Sequence, residues 1–179
     1  VSLKTIGFNF NDRSQAKESQ YKWFPYNKGG SFRKWYGNNE LVVNWQFGGR
    51  EIIETGMNSF RGKNFYFKEG ITWSFINSSN FGVRYKPEGF VFDIQGSSSF
   101  PNKKYLFYVS AFLNSKLSYF FLTIVNPTLS FQAGNLNALP FIFSENSLSN
   151  IDEIAKQCIT LAKNEWDNHE YSWDFQQSP

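Results

Sequence analysis

Over the first hundred residues, apolar positions come in short runs between clusters of Gly, Asn and Ser. Leu41-Val42-Val43-Asn44-Trp45, Asn64-Phe65-Tyr66-Phe67 and Gly89-Phe90-Val91-Phe92-Asp93-Ile94 are β-branched or aromatic, and each predicts a strand. Gly37-Asn38-Asn39, Gly48-Gly49 and Asn77-Ser78-Ser79-Asn80 supply turns, and Pro87 and Gly96 bracket the third run. Beyond Pro101 the period changes. Leu106, Val109, Leu113, Leu117, Phe120 and Ile124 recur at three- and four-residue steps, which predicts a helix over about 104–125. Its apolar face should pack on the sheet through Leu113 and Leu117, and Asn126-Pro127 should end it. A loop-and-strand stretch over 129–143 follows. Ser149 or Asn150 then reads as the N-cap of a last helix over about 150–168, with Asp152 and Glu153 in its first turn. Its apolar stripe, Ile151, Ile154, Cys158, Leu161 and Trp166, needs a partner in this chain or outside it. Strands precede helices, so the fold class is α+β: a β-rich body over 1–145, and an acidic amphipathic helix and tail over 146–179.

Charge sharpens that division. Residues 1–144 hold 16 Lys and Arg against 8 Asp and Glu, whereas 145–179 hold 2 against 7. A basic body suits a polyanion and leaves the acidic tail to face something else. Phe, Tyr and Trp make up 20% of the chain, too many for a disordered segment. One Cys (Cys158) excludes an internal disulfide, and one His (His169) leaves almost nothing for a zinc or iron site. Without a start Met, a signal-like N-terminus or a long charge-free apolar run, the chain reads as an excised cytoplasmic domain that does not enter a membrane.

The densest chemistry lies at residues 21–36, where seven of sixteen side chains are aromatic, four are Lys or Arg, and none is acidic. Nucleic-acid surfaces need cations for phosphates and flat faces for stacking, and this segment interleaves both. A core hairpin with buried rings and snorkelling lysines fits the same pattern. Arg50, Arg61, Lys63, Lys68, Arg84 and Lys86 extend the basic set. Enzyme chemistry finds little here. There is no phosphate-binding glycine loop, no CxxC and no placed nucleophile–base pair, and Cys158 sits on an apolar helix face.

Several strings occur together in order. Lys22-Trp23-Phe24-Pro25-Tyr26-Asn27-Lys28-Gly29-Gly30 and Phe32-Arg33-Lys34-Trp35-Tyr36-Gly37-Asn38 come first. Gly70-Ile71-Thr72-Trp73-Ser74, Phe81-Gly82-Val83-Arg84-Tyr85 and Gly89-Phe90-Val91-Phe92-Asp93 follow. Leu113-Asn114-Ser115-Lys116, then the run from Asn126 through Phe131-Gln132-Ala133-Gly134 to Leu139-Pro140, close the series. Over roughly residues 20–175 the chain resembles the C-terminal half of the PglX-type adenine-specific DNA methyltransferases of BREX phage-defence systems.

The resemblance implies a target-recognition domain that meets double-stranded DNA beside an N-terminal methyltransferase domain. That domain would bind S-adenosylmethionine and methylate the exocyclic nitrogen of a flipped adenine. The Asn/Asp-Pro-Pro-Tyr motif of such domains is missing, since Asn126-Pro127-Thr128 lacks the second proline and the aromatic. This piece is therefore expected to hold no cofactor or metal of its own and to guide rather than methylate. Lys22, Lys28, Arg33, Lys34, Arg50, Lys63 and Arg84 are the candidate phosphate or base contacts, and Trp35, Tyr36 and Trp73 would pack or stack at that surface. The last helix would dock onto the parent enzyme, and other BREX components are further possible partners. A protein-interaction module and a carbohydrate-binding module are the rival readings; the second leaves the basic body unexplained.

Overall fold

A computed structural model describes residues 1–56, 60–77, 80–126 and 128–177 of the chain. Ser78 and Ser79 of the expected turn, and Pro127, lie outside the described residues. A short helix α1 (Arg13–Glu18) opens the fold, capped by Asp12, whose side chain accepts from the Ser14 and Gln15 N–H groups. Two small sheets follow. In the first, β1 (Trp23–Asn27) pairs antiparallel with β2 (Val42–Asn44) and parallel with β5 (Val91–Phe92). In the second, β3 (Gly70–Thr72) lies between β4 (Arg84–Lys86) and β6 (Ser98–Ser99), both antiparallel to it. Helix α2 (Gln46–Glu54) follows β2, and α3 (Leu106–Asn114), α4 (Lys116–Val125), α5 (Ala133–Asn137) and α6 (Leu148–Asp167) complete the chain.

The α+β class and the late helices match the sequence pattern, with four local differences. First, residues 64–67 are not a strand: Lys63–Phe65 is a 3-10 turn and Phe67 is left-handed at φ 68°. The aromatic run there serves burial, since Tyr66 and Phe67 enter the core while Phe65 faces out. Second, Gly48-Gly49, expected as a turn, is a left-handed kink within α2, with φ of 76° and 82°. Third, the helix over 104–125 is two helices broken at Ser115, which is extended and caps α4 by accepting from Ser118 N–H at 3.1 Å. The break shifts the phase of the apolar stripe. Leu106 and Leu113 stay buried, but Leu117, Phe120 and Ile124 are 45%, 59% and 62% exposed. Leu117 therefore does not pack on the sheet as expected. The last helix likewise starts at Leu148, after a 3-10 turn at Glu145–Ser147, rather than at a cap on Ser149 or Asn150.

Two cores hold these pieces. One joins the second sheet to the helices through Ile71, Trp73, Val83, Leu113, Leu122 and Phe131. The other fills the space between the first sheet, α1 and α2 with Phe24, Trp45, Tyr66, Phe67 and Phe92. Its rings meet edge to face: Trp45 against Phe60 and Tyr66, both at 5.2 Å, and Tyr66 against Phe92 at 5.1 Å. Such pairs contribute about 0.5–1.5 kcal/mol each beyond the area they bury. Much of the aromatic excess is thus structural. Helix α6 packs against α3 and buries Ala155 and Trp166, but Ile154 and Leu161 of its expected apolar stripe are 51% and 70% exposed, so the stripe is only partly covered within this chain. The tail beyond it is pinned by Trp173 between Phe8 and Phe90.

Candidate nucleic-acid interface

The cation-rich segment at 21–36 divides into a strand and a loop. In β1 Phe24 is buried and Tyr26 half-buried, and Lys22 and Lys28 flank the strand at its two ends. Gly29 and Gly30 then reverse the chain at φ of 88° and 121°, a conformation that disfavours side chains. A Cβ on Gly29 would come within 2.6 Å of the Gln95 carbonyl oxygen, so this turn lies flat on the loop after β5. The returning strand segment pairs with β4: Trp35 N–H donates to the Val83 carbonyl at 2.8 Å, and Tyr85 N–H donates to Trp35 at 2.7 Å. This fixes Trp35 left-handed at φ 71° and half-buried.

That pairing directs half of the candidate residues inward. Arg33 stacks on Trp166 at 4.8 Å, donates to Glu165 at 2.6 Å and reaches the Tyr171 hydroxyl at 3.3 Å. Glu165 is held below the usual carboxylate range by its hydrogen bond to His169 and then by Arg33. Lys34 donates to the carbonyl of Asn114 at 2.7 Å, and its burial lowers its pKa. Tyr36 is buried with Lys163 over its ring, and desolvation raises its phenol. Trp73 is a core residue whose Nε1 donates to the Phe131 carbonyl at 2.7 Å. Arg84 is 1% exposed. Its guanidinium reaches Ser74 Oγ at 3.5 Å, its Nε and Nη2 have no hydrogen-bond partner among the described residues, and burial pushes its pKa down to about 10.

The remaining candidates, Lys22, Lys28, Arg50 and Lys63, are exposed and line no cavity themselves, but Lys28 pairs with a wall residue of a trench made of two adjoining cavities. Its first cavity, about 430 Å³, is walled by Tyr26, Val43, Trp45, Phe60, Arg61, Tyr66 and Asp93 among others. A second cavity of about 450 Å³ shares Arg61, Phe92, Asp93 and Ile94 with it and continues past Trp73 to Gln132, Ala133 and Gly134. Lys28 pairs with Asp93 at 3.2 Å on this wall and lies over the Tyr26 ring. Lys22 pairs with Glu51 of α2 at 3.7 Å. Arg50, one residue earlier on α2, stacks on Phe47 at 4.8 Å and is exposed, as is Lys63, two residues after Arg61. Desolvation, followed by the hydrogen bond to Asp93, raises the Tyr26 phenol, and burial pushes Tyr66 up to about 12. Both phenols therefore keep their protons at neutral pH and present dipoles, not charges.

Two residues of this trench carry more than sequence reasoning gave them. Asp93 accepts four hydrogen bonds, from Tyr26 Oη at 2.7 Å and Lys28 Nζ on one oxygen and from the N–H groups of Gln95 and Gly96 on the other. Arg61 lines both cavities. Its signal in the sequence was faint, because it shares the Gly-flanked, basic character of several surface turns. Among the described residues no group of His, Cys, Asp and Glu could hold a metal ion, and no helix is long and apolar enough to cross a membrane.

No family model matches the chain. It is 40% identical over 176 residues to the adenine-specific methyltransferase PglX of Lacticaseibacillus casei (strain Zhang). It is 36% identical over 157 residues to the adenine-specific methyltransferase BrxX of Escherichia coli O9:H4 (strain HS). The matches take in 93% and 86% of this chain but 14% and 13% of those proteins. The chain thus corresponds to one segment of the PglX and BrxX methyltransferases, and the resemblance carried by its ordered strings extends over nearly its whole length.

Proposed function

We propose that this segment recognises the DNA target of an N6-adenine methyltransferase in a BREX-type phage-defence system. The observation that carries the reading is the sorting of the cations. Arg33, Lys34 and Arg84 are engaged by contacts within the fold, while Lys22, Lys28, Arg50, Arg61 and Lys63 stay exposed on the basic body, with Arg61 in the wall of the trench and Lys28 paired to Asp93 of that wall. Phosphate contacts set the register of a protein on duplex DNA, and side chains in the groove between them read bases. In this reading Lys22, Lys28, Arg50 and Lys63 are the positioning contacts. Body and tail act as one unit through the α3–α6 packing.

Methyl transfer belongs, in this reading, to a methyltransferase domain N-terminal to the segment. The trench is a poor seat for S-adenosylmethionine, because both oxygens of Asp93 are already engaged and offer nothing free to the ribose hydroxyls. No step of the reaction is routed through this chain. A salt series with the full-length methyltransferase tests the reading. Binding should weaken steeply with salt, and removing the exposed cations should flatten that dependence. A salt-independent affinity for DNA would overturn it.

One observation favours a protein-interaction role. The outward face of α4 exposes Leu117, Phe120, Ile124 and Val125 together, an apolar strip of the kind that marks contact surfaces. It fits docking of the segment onto the methyltransferase domain or another defence component, and it is compatible with DNA recognition at the trench, whose walls include no residue of α4.

A further inference from the structure

We infer that Arg61 is a base-reading residue, its guanidinium directed to the major-groove edge of a guanine; the inference rests on the DNA-recognition reading above. Four observations converge on it. Arg61 lines both cavities of the trench, at the place where they join beside Phe92 and Asp93. Its side chain is exposed and makes no ion pair among the described residues. Of the other exposed cations, Lys28 is engaged with Asp93, Lys22 with Glu51 and Arg50 with the Phe47 ring, and Lys63 lines neither cavity. Asp93, the acid on the same wall, is fully used by Tyr26, Lys28 and two backbone N–H groups, so it does not compete for the guanidinium.

How the residue is held adds to these four. Arg61 stands between two left-handed residues, Phe60 at φ 35° and Gly62 at φ 69°. A left-handed phenylalanine is costly and persists only where its surroundings impose it. Here Phe60 is fixed edge-on to Trp45 at 5.2 Å, and a Cβ on Gly62 would meet the Phe92 ring at 3.0 Å. The turn is therefore pinned to the core on both sides of Arg61. Such anchoring reduces the backbone ordering that binding must supply, which is of little use to a phosphate contact and of much use to a side chain that must meet one edge in one orientation. The chemistry selects the ligand. A guanidinium fork matches the O6 and N7 acceptors of guanine, and a lysine ammonium at the same place would lack the paired geometry.

The test uses the full-length methyltransferase carrying this segment, with Arg61→Ala and Arg61→Lys compared with a Lys22→Ala/Arg50→Ala/Lys63→Ala triple variant. The readouts are gel-shift affinity for the recognised site and for single-base-pair variants of it, across a salt series. Thermal melting checks the fold. Both Arg61 variants should lose discrimination at one G·C pair by about 5- to 150-fold, the range for one bidentate base contact. Arg61→Lys, which keeps the charge, should leave the salt dependence as it was. Equal loss on all sequences, with the slope of log affinity against log salt falling by about 0.9 for Arg61→Ala, would make Arg61 a phosphate contact and overturn the inference. Unchanged binding in both Arg61 variants while the triple variant flattens the slope would also overturn it and leave DNA recognition standing. No change in any variant would remove the DNA-recognition reading itself.

Discussion

The side-chain amide of Asn114 pairs in both directions with the backbone of Val83. Its Oδ1 accepts from Val83 N–H at 2.9 Å, and its Nδ2 donates to the Val83 carbonyl at 3.0 Å. The last residue of α3 thereby acts as a strand neighbour for the approach to β4, and its own carbonyl accepts from Lys34. Three of the ordered sequence strings meet at this one buried residue. It ties the helical half to the segment whose aromatics and cations first suggested a nucleic-acid surface.

Replacing Asn114 by Ala should leave the buried N–H of Val83 without a partner, while the Val83 carbonyl keeps the Trp35 N–H. An unsatisfied buried group costs about 1–3 kcal/mol, and a loss of that order is expected. Urea unfolding followed by tryptophan fluorescence measures it. A change under 0.5 kcal/mol would mean that water replaces the amide and that the node is not structural.

The burial of Arg33 and Lys34 against α6 and α3 separates stability from DNA affinity. Arg33→Ala/Lys34→Ala should destabilise the fold by roughly 1–3 kcal/mol, through the lost charge-assisted bonds and the contact with Trp166. The salt slope of DNA binding should stay as it is. Lys22→Ala/Arg50→Ala/Lys63→Ala should do the reverse and lower the slope by about 2.7, at about 0.9 per phosphate contact. A slope that falls in the Arg33/Lys34 variant would show that the tail lifts away when DNA binds.

Lys86 makes stability depend on pH. It is buried over the Phe92 and Phe100 rings, donates to the Lys68 carbonyl, and burial pushes its pKa down to about 7. Between that value and the ordinary lysine value near 10.4, the unfolded chain holds a proton that the folded chain does not. Stability must then rise with pH across that window, by at most about 1.4 kcal/mol per unit, and the gain is absent below it. The raised phenols of Tyr26 and Tyr85 act in the opposite sense, but only above about pH 10, where unfolded tyrosine ionises. The denaturation midpoint should accordingly climb from pH 7 to pH 9, and Lys86→Met should be flat over the same range. A flat wild-type profile would place the Lys86 ammonium in water.

The break at Ser115 separates two leucines that share a stripe in the sequence. Leu113→Ala should cost about 2–5 kcal/mol, as cavity-forming core substitutions do. Leu117→Ala, on the exposed face, should stay within about 0.5 kcal/mol. Ser115→Ala should cost about 1 kcal/mol through the lost cap on α4. Equal losses at both leucines, measured by chemical denaturation, would favour one continuous helix.

The amino-acid order by itself determined the class of the fold and the relationship to adenine-specific methyltransferases. Local periodicity suffices for the first, because strands and helices leave different spacings of apolar residues, and ordered strings suffice for the second. It also located the basic body and the acidic end. Tertiary structure decided which side chains those regions present. Arg33, Lys34 and Arg84 look like surface cations in sequence, since nothing local distinguishes a guanidinium that will lie on Trp166 from one that will face water. Trp73 and Tyr36 look as free to stack as any ring until the second sheet and α6 close over them. Arg61 looks like one more surface cation in sequence for the converse reason: its setting depends on Trp45 and Phe92, far away in the chain, holding Phe60 and Gly62 in left-handed conformations. The phase of α4 turned on one extended serine, which period counting steps across. Spacing within a segment sets what that segment becomes; contacts between distant segments set which of its faces meets water.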